Sequence, residues 1–379
     1  MTSATTESPP AAGRFSRAKR FLARAAITLL VACVGGEIAV RAVEHFRGPT
    51  GSLYSLIVPW KNRFKLLPHA QLIVPERYGD IEYRINRDGY RDEDRDPAVH
   101  RRRIVLLGDS VAFGLGVAQD RTFAAGLARE LRQRASPPVE LVNLAIFAYH
   151  SGNELDALRE DGLRYAPEAV ILQFYLNDLG TPPRAIRNGP PPPPPGLAAR
   201  LISLKNRFLY DSALYRRLNQ LASGLSFRLF HGLRRHRWPE SLNADEPRGD
   251  LANLAAHPDD AAIPAFQAIR EIRDLAVSHG ARFLLVLSPD EVQLFTRAYD
   301  GINDRLHRFC RTAGIECVDL LAELRSRADK AELFYDGVHY SPLGHKIVAR
   351  RLLEELARRG MIRGFAPDSS DLPAKAAGR

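Results

Sequence analysis

The sequence predicts an α/β fold, a three-layer α/β/α sandwich built on a five-stranded parallel β-sheet. From about residue 100 onward, short apolar segments alternate with longer segments that have the length and polarity of helices. The segment Ala169–Phe174 is apolar almost throughout, rather than at every second position. Such alternation is typical of parallel sheets with helices on both faces, and a continuous apolar run is typical of a strand buried on both faces.

Five strands and five helices are predicted in this part of the chain. The strands are Arg103–Leu107, Glu140–Leu144, Ala169–Phe174, Phe283–Leu287 and Glu316–Val318. The helices are about Arg121–Gln133, Asn153–Leu163, Ala261–Ser278, Ile302–Thr312 and Pro342–Arg358. Because right-handed crossovers bring the carboxyl ends of parallel strands to one edge of the sheet, polar residues that follow these strands are candidates for a shared site.

The composition is that of a folded protein rather than a disordered one. Of the 379 residues, 45% are hydrophobic and 26% are charged, and the formal net charge is +10. A basic chain raises the question of binding to nucleic acid or to an anionic membrane. Many arginines stand beside acidic residues, as in 91–96, and no nucleic-acid motif or aromatic stacking set accompanies them. We therefore expect no nucleic-acid partner.

The chain has three cysteines, Cys33, Cys310 and Cys317. None of them has a histidine or a second cysteine at metal-ligand spacing, so no metal site is predicted. Cys310 and Cys317 fall on a predicted helix and the strand that follows it. A disulfide between them remains an open alternative if this part of the chain lies outside the cytoplasm.

The N-terminal region predicts a signal anchor or transmembrane helix over residues 21–43. Basic residues precede an apolar run that is interrupted only by Glu37. With Phe21 and Leu22 included, and with the Arg24 side chain extending back to the membrane surface, the run reaches the ~20 apolar residues that a membrane span needs. The basic tail, residues 1–20, should stay cytoplasmic, which sends the rest of the chain across the inner membrane.

Three other interpretations of this region stay open. The segment Leu30–Cys33 resembles a bacterial lipobox, in which Cys33 is lipidated after cleavage. A signal peptide cleaved elsewhere has an apolar core of similar length. A buried helix of a cytoplasmic protein is the third. The first two place the body of the chain outside the cytoplasm, as the signal anchor does.

The remaining regions are an entry segment without clear periodicity (44–100), the α/β domain (101–362) and a flexible tail (363–379). A run of prolines and then a basic stretch interrupt the α/β domain at about 180–260. Polyproline is a stiff spacer with no packed core of its own. We interpret this insertion as a lid over the sheet edge, a membrane-facing flap or a solvated helical excursion.

The tripeptide Gly108-Asp109-Ser110 follows directly on the first predicted strand. A serine at this position projects into the crevice where such sheets bind ligands, and the amides of a helix start stabilise negative charge. Ser110 is therefore the candidate nucleophile. An aspartate in such a turn usually accepts hydrogen bonds from nearby amides, and we assign Asp109 that structural role.

Asp336 and His339 stand three residues apart, just before the last predicted helix. A nucleophilic serine needs a base to take its proton and an acid to hold the imidazole in the right tautomer, and one turn with this spacing supplies both. Asp336 alone is also typical of a surface turn or a helix start, because Ser341 and a proline follow. His345 falls within the predicted helix, and we assign it a packing role.

Candidate donors for an oxyanion follow the second and third strands. The loop Asn143–Tyr149 follows the second strand, and Asn177-Asp178 follows the third. An asparagine side chain with two backbone amides is sufficient to stabilise an oxyanion. Either asparagine is also typical of a simple turn. Their occurrence on one sheet edge with Ser110 and His339 favours a site.

These four blocks resemble those of the SGNH (GDSL-like) serine hydrolases, over about residues 100 to 360. The resemblance implies a flavodoxin-like sheet, with Ser110 as nucleophile, His339 as base and Asp336 as the acid that orients it. It also implies an oxyanion hole made by the Ser110 amide, the Asn177 side chain and the backbone amide at Ala148. The family usually has glycine at this last position, so Ala148 adds ~1 kcal/mol of strain if the backbone there needs a positive φ.

The resemblance to membrane-anchored bacterial members implies a serine esterase that acts on O-acyl groups through an acyl-serine, without a metal or other cofactor. The expected partners are an ester-bearing substrate, polysaccharide or lipid, and the inner membrane, with the catalytic body in the periplasm. Two alternatives stay open: an O-acyltransferase that uses the same site, and a non-catalytic envelope module that retains the fold.

Overall fold

The computed structural model describes residues 12–47, 53–61, 63–179, 214, 260–297 and 299–365. Two compact units are present, one containing residues 1–51 and 193–225 and the other residues 52–192 and 226–379. Most of the predicted insertion and most of the predicted C-terminal tail lie outside the described residues.

One long helix, α1, spans Ala12–Arg47. Its segment Lys19–Val43 has a mean hydropathy of 1.9 and is long and apolar enough to cross a membrane. The large apolar side chains of this segment are exposed, Phe21 by 72% and Ile38 by 65%. The exposure argues against a buried core helix. Glu37, the one acidic residue in the apolar run, accepts a 2.7 Å hydrogen bond from Arg41 one turn further on.

Two antiparallel hairpins occupy the segment for which the sequence predicts no regular structure. Strands β1 (Ile57–Trp60) and β2 (Arg63–Leu66) form the first, and β3 (Gln71–Glu76) and β4 (Gly79–Arg84) form the second. All four residues of β2 are buried, including Arg63 and Lys65. Burial of charged side chains on a strand removes the polar–apolar alternation by which an antiparallel strand is recognised.

Ion pairs and hydrogen bonds connect the first hairpin to the α/β body. Arg63 forms a short ion pair with Asp161 and donates hydrogen bonds to the hydroxyls of Tyr149 at 2.8 Å and Tyr90 at 3.0 Å. Lys65 lies 2.9 Å from the same Asp161 carboxylate. These buried charges are therefore paired, as buried charges must be to be tolerated.

The five-stranded sheet is parallel and confirms the predicted fold class. It contains β5 (Arg102–Leu107), β6 (Val139–Asn143), β7 (Ala169–Phe174), β8 (Arg282–Leu287) and β9 (Cys317–Asp319), in the spatial order β6-β5-β7-β8-β9. Each strand begins within one residue of its predicted start. Because the chain leaves β5 first for β6 on one side and later returns to β7 on the other, the direction of winding reverses at β5. Ligands bind at such a reversal in open α/β sheets.

Helices cover both faces of the sheet. In chain order they are α2 (Ser110–Phe113), α3 (Phe123–Arg134), α4 (Ser151–Ala157), α5 (Pro264–Ser278), α6 (Glu291–Phe295), α7 (Asp300–Ala313), α8 (Leu321–Ser326) and α9 (Pro342–Arg358). Helix α3 packs against α9 and β6, and α4 packs against α5, which also contacts β8. The helix predicted over Asn153–Leu163 is shorter as an α-helix, because a π-helical turn, Leu158–Gly162, follows α4.

Both cysteines of the α/β body are free thiols. Cys310 is buried in α7, Cys317 begins β9, and their side chains are hydrogen-bonded to each other. The disulfide that the sequence left open is not formed in this structure.

Candidate active site

Ser110 is the first residue of α2, immediately after β5. A Cβ atom on Gly108 would lie 2.7 Å from the Cβ of Ala112 and 2.8 Å from the side-chain oxygen of Gln173, so only glycine fits between the strand and the helix. Asp109 caps α2 by accepting a 2.9 Å hydrogen bond from the amide of Val111. The turn role predicted for this aspartate is therefore present. The tight strand-to-helix turn places Ser110 at the carboxyl edge of the sheet.

The side chains of Ser110, His339 and Asp336 form a continuous hydrogen-bonded chain. Ser110 Oγ lies 2.8 Å from His339 Nε2, and His339 Nδ1 lies 2.7 Å from Asp336 Oδ2. Because a carboxylate only accepts hydrogen bonds, His339 carries its proton on Nδ1 when neutral, and Nε2 is left to accept from the serine.

A single turn holds the aspartate and the histidine in place. The second oxygen of Asp336, Oδ1, accepts hydrogen bonds from the amides of Val338 at 3.1 Å and His339 at 2.9 Å. Helix α9 then begins at Pro342, and Ser341 caps it by accepting a 3.1 Å hydrogen bond from the Gly344 amide. Ser341 therefore caps the helix, and Asp336 is the residue that contacts His339.

Neighbouring carboxylates determine the protonation of this site. Burial lowers the pKa of His339, but the hydrogen bond and charge of Asp336 outweigh it, with Asp109 and Glu76 acting in the same direction. The pKa of His339 therefore lies above its ordinary value. Burial raises the pKa of Asp336, and its hydrogen bonds and the charge of His339 more than compensate, so its pKa lies below the ordinary value. The pair thus favours an ionised aspartate beside a basic imidazole.

Asn177 lies on the short helical turn Leu176–Leu179 that follows β7, with its side chain exposed at the sheet edge. Its Nδ2 donates a 3.3 Å hydrogen bond to Asp109 Oδ2. The Asp109 carboxylate only accepts hydrogen bonds, and the side-chain oxygen of Asn177 has no proton to donate. This contact therefore orients Nδ2, rather than the oxygen, toward the Ser110 turn. One N–H of Nδ2 remains for another acceptor.

The loop after β6 is attached to the end of β5. Asn143 turns the chain locally, because its Oδ1 accepts a 3.1 Å hydrogen bond from the Ala145 amide, and the Ile146 amide donates to the carbonyl of Gly108. Ala148 then has φ 61°, in the left-handed region. Because φ is positive here, alanine at this position adds ~1 kcal/mol of backbone strain relative to glycine. Among the described residues, the Ala148 N–H has no hydrogen-bond acceptor.

Sequence reasoning missed the contribution of both hairpins to this site. Tyr149, next to Ala148, donates a short hydrogen bond to the carbonyl of Phe64 and accepts one from Arg63. Glu76, at the end of β3, contacts Tyr335, the neighbour of Asp336. The segment is rich in charged and aromatic residues, but this composition does not indicate which of them contact the α/β body.

His345 lies away from these residues and has the packing role predicted for it. It is 1% exposed, and its Nδ1 accepts a 3.1 Å hydrogen bond from the amide of Phe123, the first residue of α3. Burial lowers its pKa to about 3, so this imidazole is neutral at physiological pH. In the part of the chain that the structure describes, no group of three or more His, Cys, Asp or Glu residues could hold a metal ion.

The model of the GDSL-like Lipase/Acylhydrolase family matches residues 106–347, which extend from the end of β5 into the start of α9 and include Ser110, Ala148, Asn177, Asp336 and His339. The chain belongs to this family. Its match covers more than half of the 379 residues.

Individual relatives are distant. The chain is 24% identical over 106 residues to a protein of Pseudomonas putida named probable alginate O-acetylase AlgJ, over 25% of this chain and 28% of the relative. The match thus spans about a quarter of either protein.

The solved structures found to be similar share little sequence with the chain. A lipase/acylhydrolase from Enterococcus faecalis has a TM-score of 0.40 at 14% identity, covering 70% of this chain and all of that one. A two-domain esterase active on acetylated mannans has a TM-score of 0.39 at 14% identity, covering 72% of this chain and 52% of the other.

Proposed function

We propose that this family member is a serine esterase that cleaves O-acyl esters, with Ser110 as nucleophile, His339 as general base and Asp336 as the residue that orients the imidazole. The observation that carries the proposal is the chain of hydrogen bonds of 2.8 Å and 2.7 Å through these three side chains. A base within hydrogen-bond reach of a serine, itself held by a carboxylate, is the arrangement that activates a serine for acyl transfer.

The reaction follows in two steps. Ser110 Oγ attacks the ester carbonyl while its proton passes to His339 Nε2, and the ionised Asp336 stabilises the resulting imidazolium. His339 then gives this proton to the leaving alcohol, which leaves an acyl-serine. In the second step water loses a proton to His339 and attacks the acyl carbon, which releases the carboxylic acid and restores Ser110.

We assign the oxyanion to three donors: the Ser110 amide, the Ala148 amide and the Asn177 Nδ2. The Ser110 amide lies in the first turn of α2, where amides have no acceptor within the helix. The other two assignments are supported by the Ala148 N–H, which has no acceptor in the described part of the chain, and by the remaining proton of Asn177 Nδ2. Loss of one such donor typically lowers kcat by about 10²- to 10³-fold.

We propose that residues 21–43 anchor the chain in the inner membrane and that the domain at 101–362 acts in the periplasm on O-acyl groups of an envelope polysaccharide or lipid. The exposed apolar segment of α1 and the basic residues before it support this location. The partial similarity to a protein named as an alginate O-acetylase supports a polysaccharide as the ester-bearing partner.

The same similarity favours a second candidate, an O-acyltransferase, in which a sugar hydroxyl rather than water attacks the acyl-serine. Products of one reaction decide between the two. The full chain in detergent is incubated with p-nitrophenyl acetate and an unacetylated polysaccharide. Free acetate alone supports the esterase, and acetyl groups on the polysaccharide support the transferase.

The enzymatic proposal itself is tested with a fluorophosphonate probe, which reacts with activated serines. We expect the full-length chain to be labelled, and Ser110→Ala and His339→Ala not to be labelled although they fold. If the wild type is not labelled and does not cleave aryl acetates, the chain is the non-catalytic envelope module instead. Ala148 argues against that alternative, because it has the left-handed backbone despite not being glycine, and its amide has no acceptor among the residues that the structure describes.

A further inference from the structure

The second hairpin contacts both loops that carry the proposed catalytic residues. Glu76, the last residue of β3, accepts a 2.5 Å hydrogen bond from the hydroxyl of Tyr335 and a 3.3 Å hydrogen bond from the hydroxyl of Tyr83 on β4. Tyr335 immediately precedes Asp336. Tyr83 in turn accepts a 2.8 Å hydrogen bond from the amide of Gly116, in the loop that follows α2. One carboxylate thus joins the histidine turn to the serine loop.

Three further contacts hold Tyr335 in place. Arg77, in the turn of the hairpin, donates a 2.7 Å hydrogen bond to the carbonyl of Tyr335, whose amide donates to the carbonyl of His339 at 2.6 Å. The ring of Tyr335 lies directly over Gly116, where a Cβ would come within 3.1 Å of the ring carbons. The backbone and the ring of Tyr335 are therefore both constrained next to Asp336.

The charges around the imidazole come from separate elements. Asp336 lies on the same turn as His339, Asp109 follows β5, and Glu76 reaches the site from the hairpin. The pKa of Glu76 lies above its ordinary value, because burial and the Asp336 charge raise it more than the hydroxyl donors Tyr335 and Tyr83 and the His339 charge lower it. When ionised, the Glu76 carboxylate adds to the negative potential at the imidazole.

We propose that Glu76 is a positioning residue: through Tyr335 and Tyr83 it holds the Asp336–His339 turn against the loop that follows Ser110, and its charge favours the protonated imidazole during acyl transfer. This inference rests on the proposed function. The hairpin precedes the region matched by the family model, so Glu76 would act in the reaction from a part of the chain outside that region.

The test compares pH profiles of the full-length chain in detergent, with p-nitrophenyl acetate as substrate. Glu76→Gln retains the size of the side chain and an acceptor for the tyrosine but removes the charge. We expect the acidic limb of kcat/KM to move to lower pH by about half a unit or more, which is about a threefold change in neutral imidazole at acidic pH. Tyr335→Phe retains the charge but breaks the connection, so kcat should fall by about tenfold with KM unchanged.

Glu82→Gln is the matched control, because Glu82 is an exposed glutamate on the same hairpin. It should leave both the profile and kcat unchanged. Labelling by the fluorophosphonate as a function of pH repeats the comparison without a substrate. Thermal unfolding measured in parallel identifies any variant that fails to fold, and in that case the remaining variant decides.

The proposal is overturned if folded Glu76→Gln has the acidic limb of the wild type, or if folded Tyr335→Phe has the wild-type kcat. A wild type that neither cleaves the ester nor reacts with the probe would overturn the proposed function, and this inference with it. Activity in the wild type with unchanged variants would overturn the role of Glu76 alone.

Discussion

Arg63 donates a 2.8 Å hydrogen bond to the hydroxyl of Tyr149, although 86 residues separate them. The neighbour of Tyr149 is Ala148, the only left-handed residue in the loop after β6. A charged residue of the first hairpin is thus fixed beside the backbone amide that we assign to the oxyanion hole. The segment before the α/β body therefore supports the site as well as preceding it.

Replacing Arg63 tests this support. Arg63→Met leaves Asp161 with only Lys65 as a charged partner within the buried cluster and should lower the free energy of unfolding by about 3 kcal/mol, the cost typical of breaking a buried ion pair. Chemical denaturation measures the change. Arg84→Met, at an exposed position of β4, should stay within about 0.5 kcal/mol. Equal effects at both positions would contradict the role of the buried cluster.

Ala148→Gly should stabilise the protein. Alanine pays for its positive φ, and glycine does not, so we expect the free energy of unfolding to rise by about 1 kcal/mol. Ala157→Gly, in the right-handed end of α4, should change it by a similar amount in the opposite direction. Thermal or chemical unfolding gives both values. A destabilised Ala148→Gly would show that the left-handed backbone is not strained.

Esterase activity should depend on a neutral His339. Since the folded pKa of this histidine is raised, kcat/KM should increase with pH and reach half its maximum above the ordinary histidine pKa of about 6.5. Asp336→Asn should reduce kcat by about 10³- to 10⁴-fold and move the remaining profile to lower pH, because the charge that raises the pKa is gone.

The control for this variant is Asp329→Asn, a change in a carboxylate that pairs with Arg327 away from the site. It should retain the wild-type profile. Loss of less than tenfold in Asp336→Asn would remove this aspartate from the mechanism.

A buried carboxyl under the site makes stability depend on pH. Among the described residues, neither oxygen of Glu154 has a hydrogen-bond partner, and burial, with the Asp178 and Asp109 charges, raises its pKa well above the ordinary value. An acid with a raised pKa in the folded state contributes stability below its unfolded pKa and loses it as pH rises through the folded one. The wild type should thus lose up to about 1.4 kcal/mol per pH unit in this window from Glu154.

Glu154→Gln removes that dependence. We expect the stability of this variant relative to the wild type to increase from pH 5 to pH 8, as followed by unfolding midpoints. Glu271→Gln, at an exposed position of α5, should give a constant difference. A difference that is also constant for Glu154→Gln would mean that Glu154 is ionised in the folded protein throughout.

The five strands of the parallel sheet could be predicted from the sequence because each can be recognised from residues that are close to it in the chain. Strand β7 has the predicted bounds Ala169–Phe174, since a run of apolar residues buried on both faces needs no partner to be recognised. Helix α9 likewise has its predicted bounds, because Ser341 and Pro342 cap and begin it locally. The first hairpin was missed because Arg63 and Lys65 are buried against Asp161, a partner about 100 residues away that no local pattern shows.

By itself, the sequence determined the five parallel strands and the longer helices of the α/β body, the serine and asparagines after strand ends, and the aspartate and histidine before the last helix, because these depend on periodicity and caps within a few residues. Only the tertiary structure decided that Ser110 and His339, 229 residues apart, come within 2.8 Å, that Ala148 is left-handed, and that Glu76 lies between the two loops. Such distances result from how the sheet and the hairpins pack together, and packing depends on side chains that are remote in the chain.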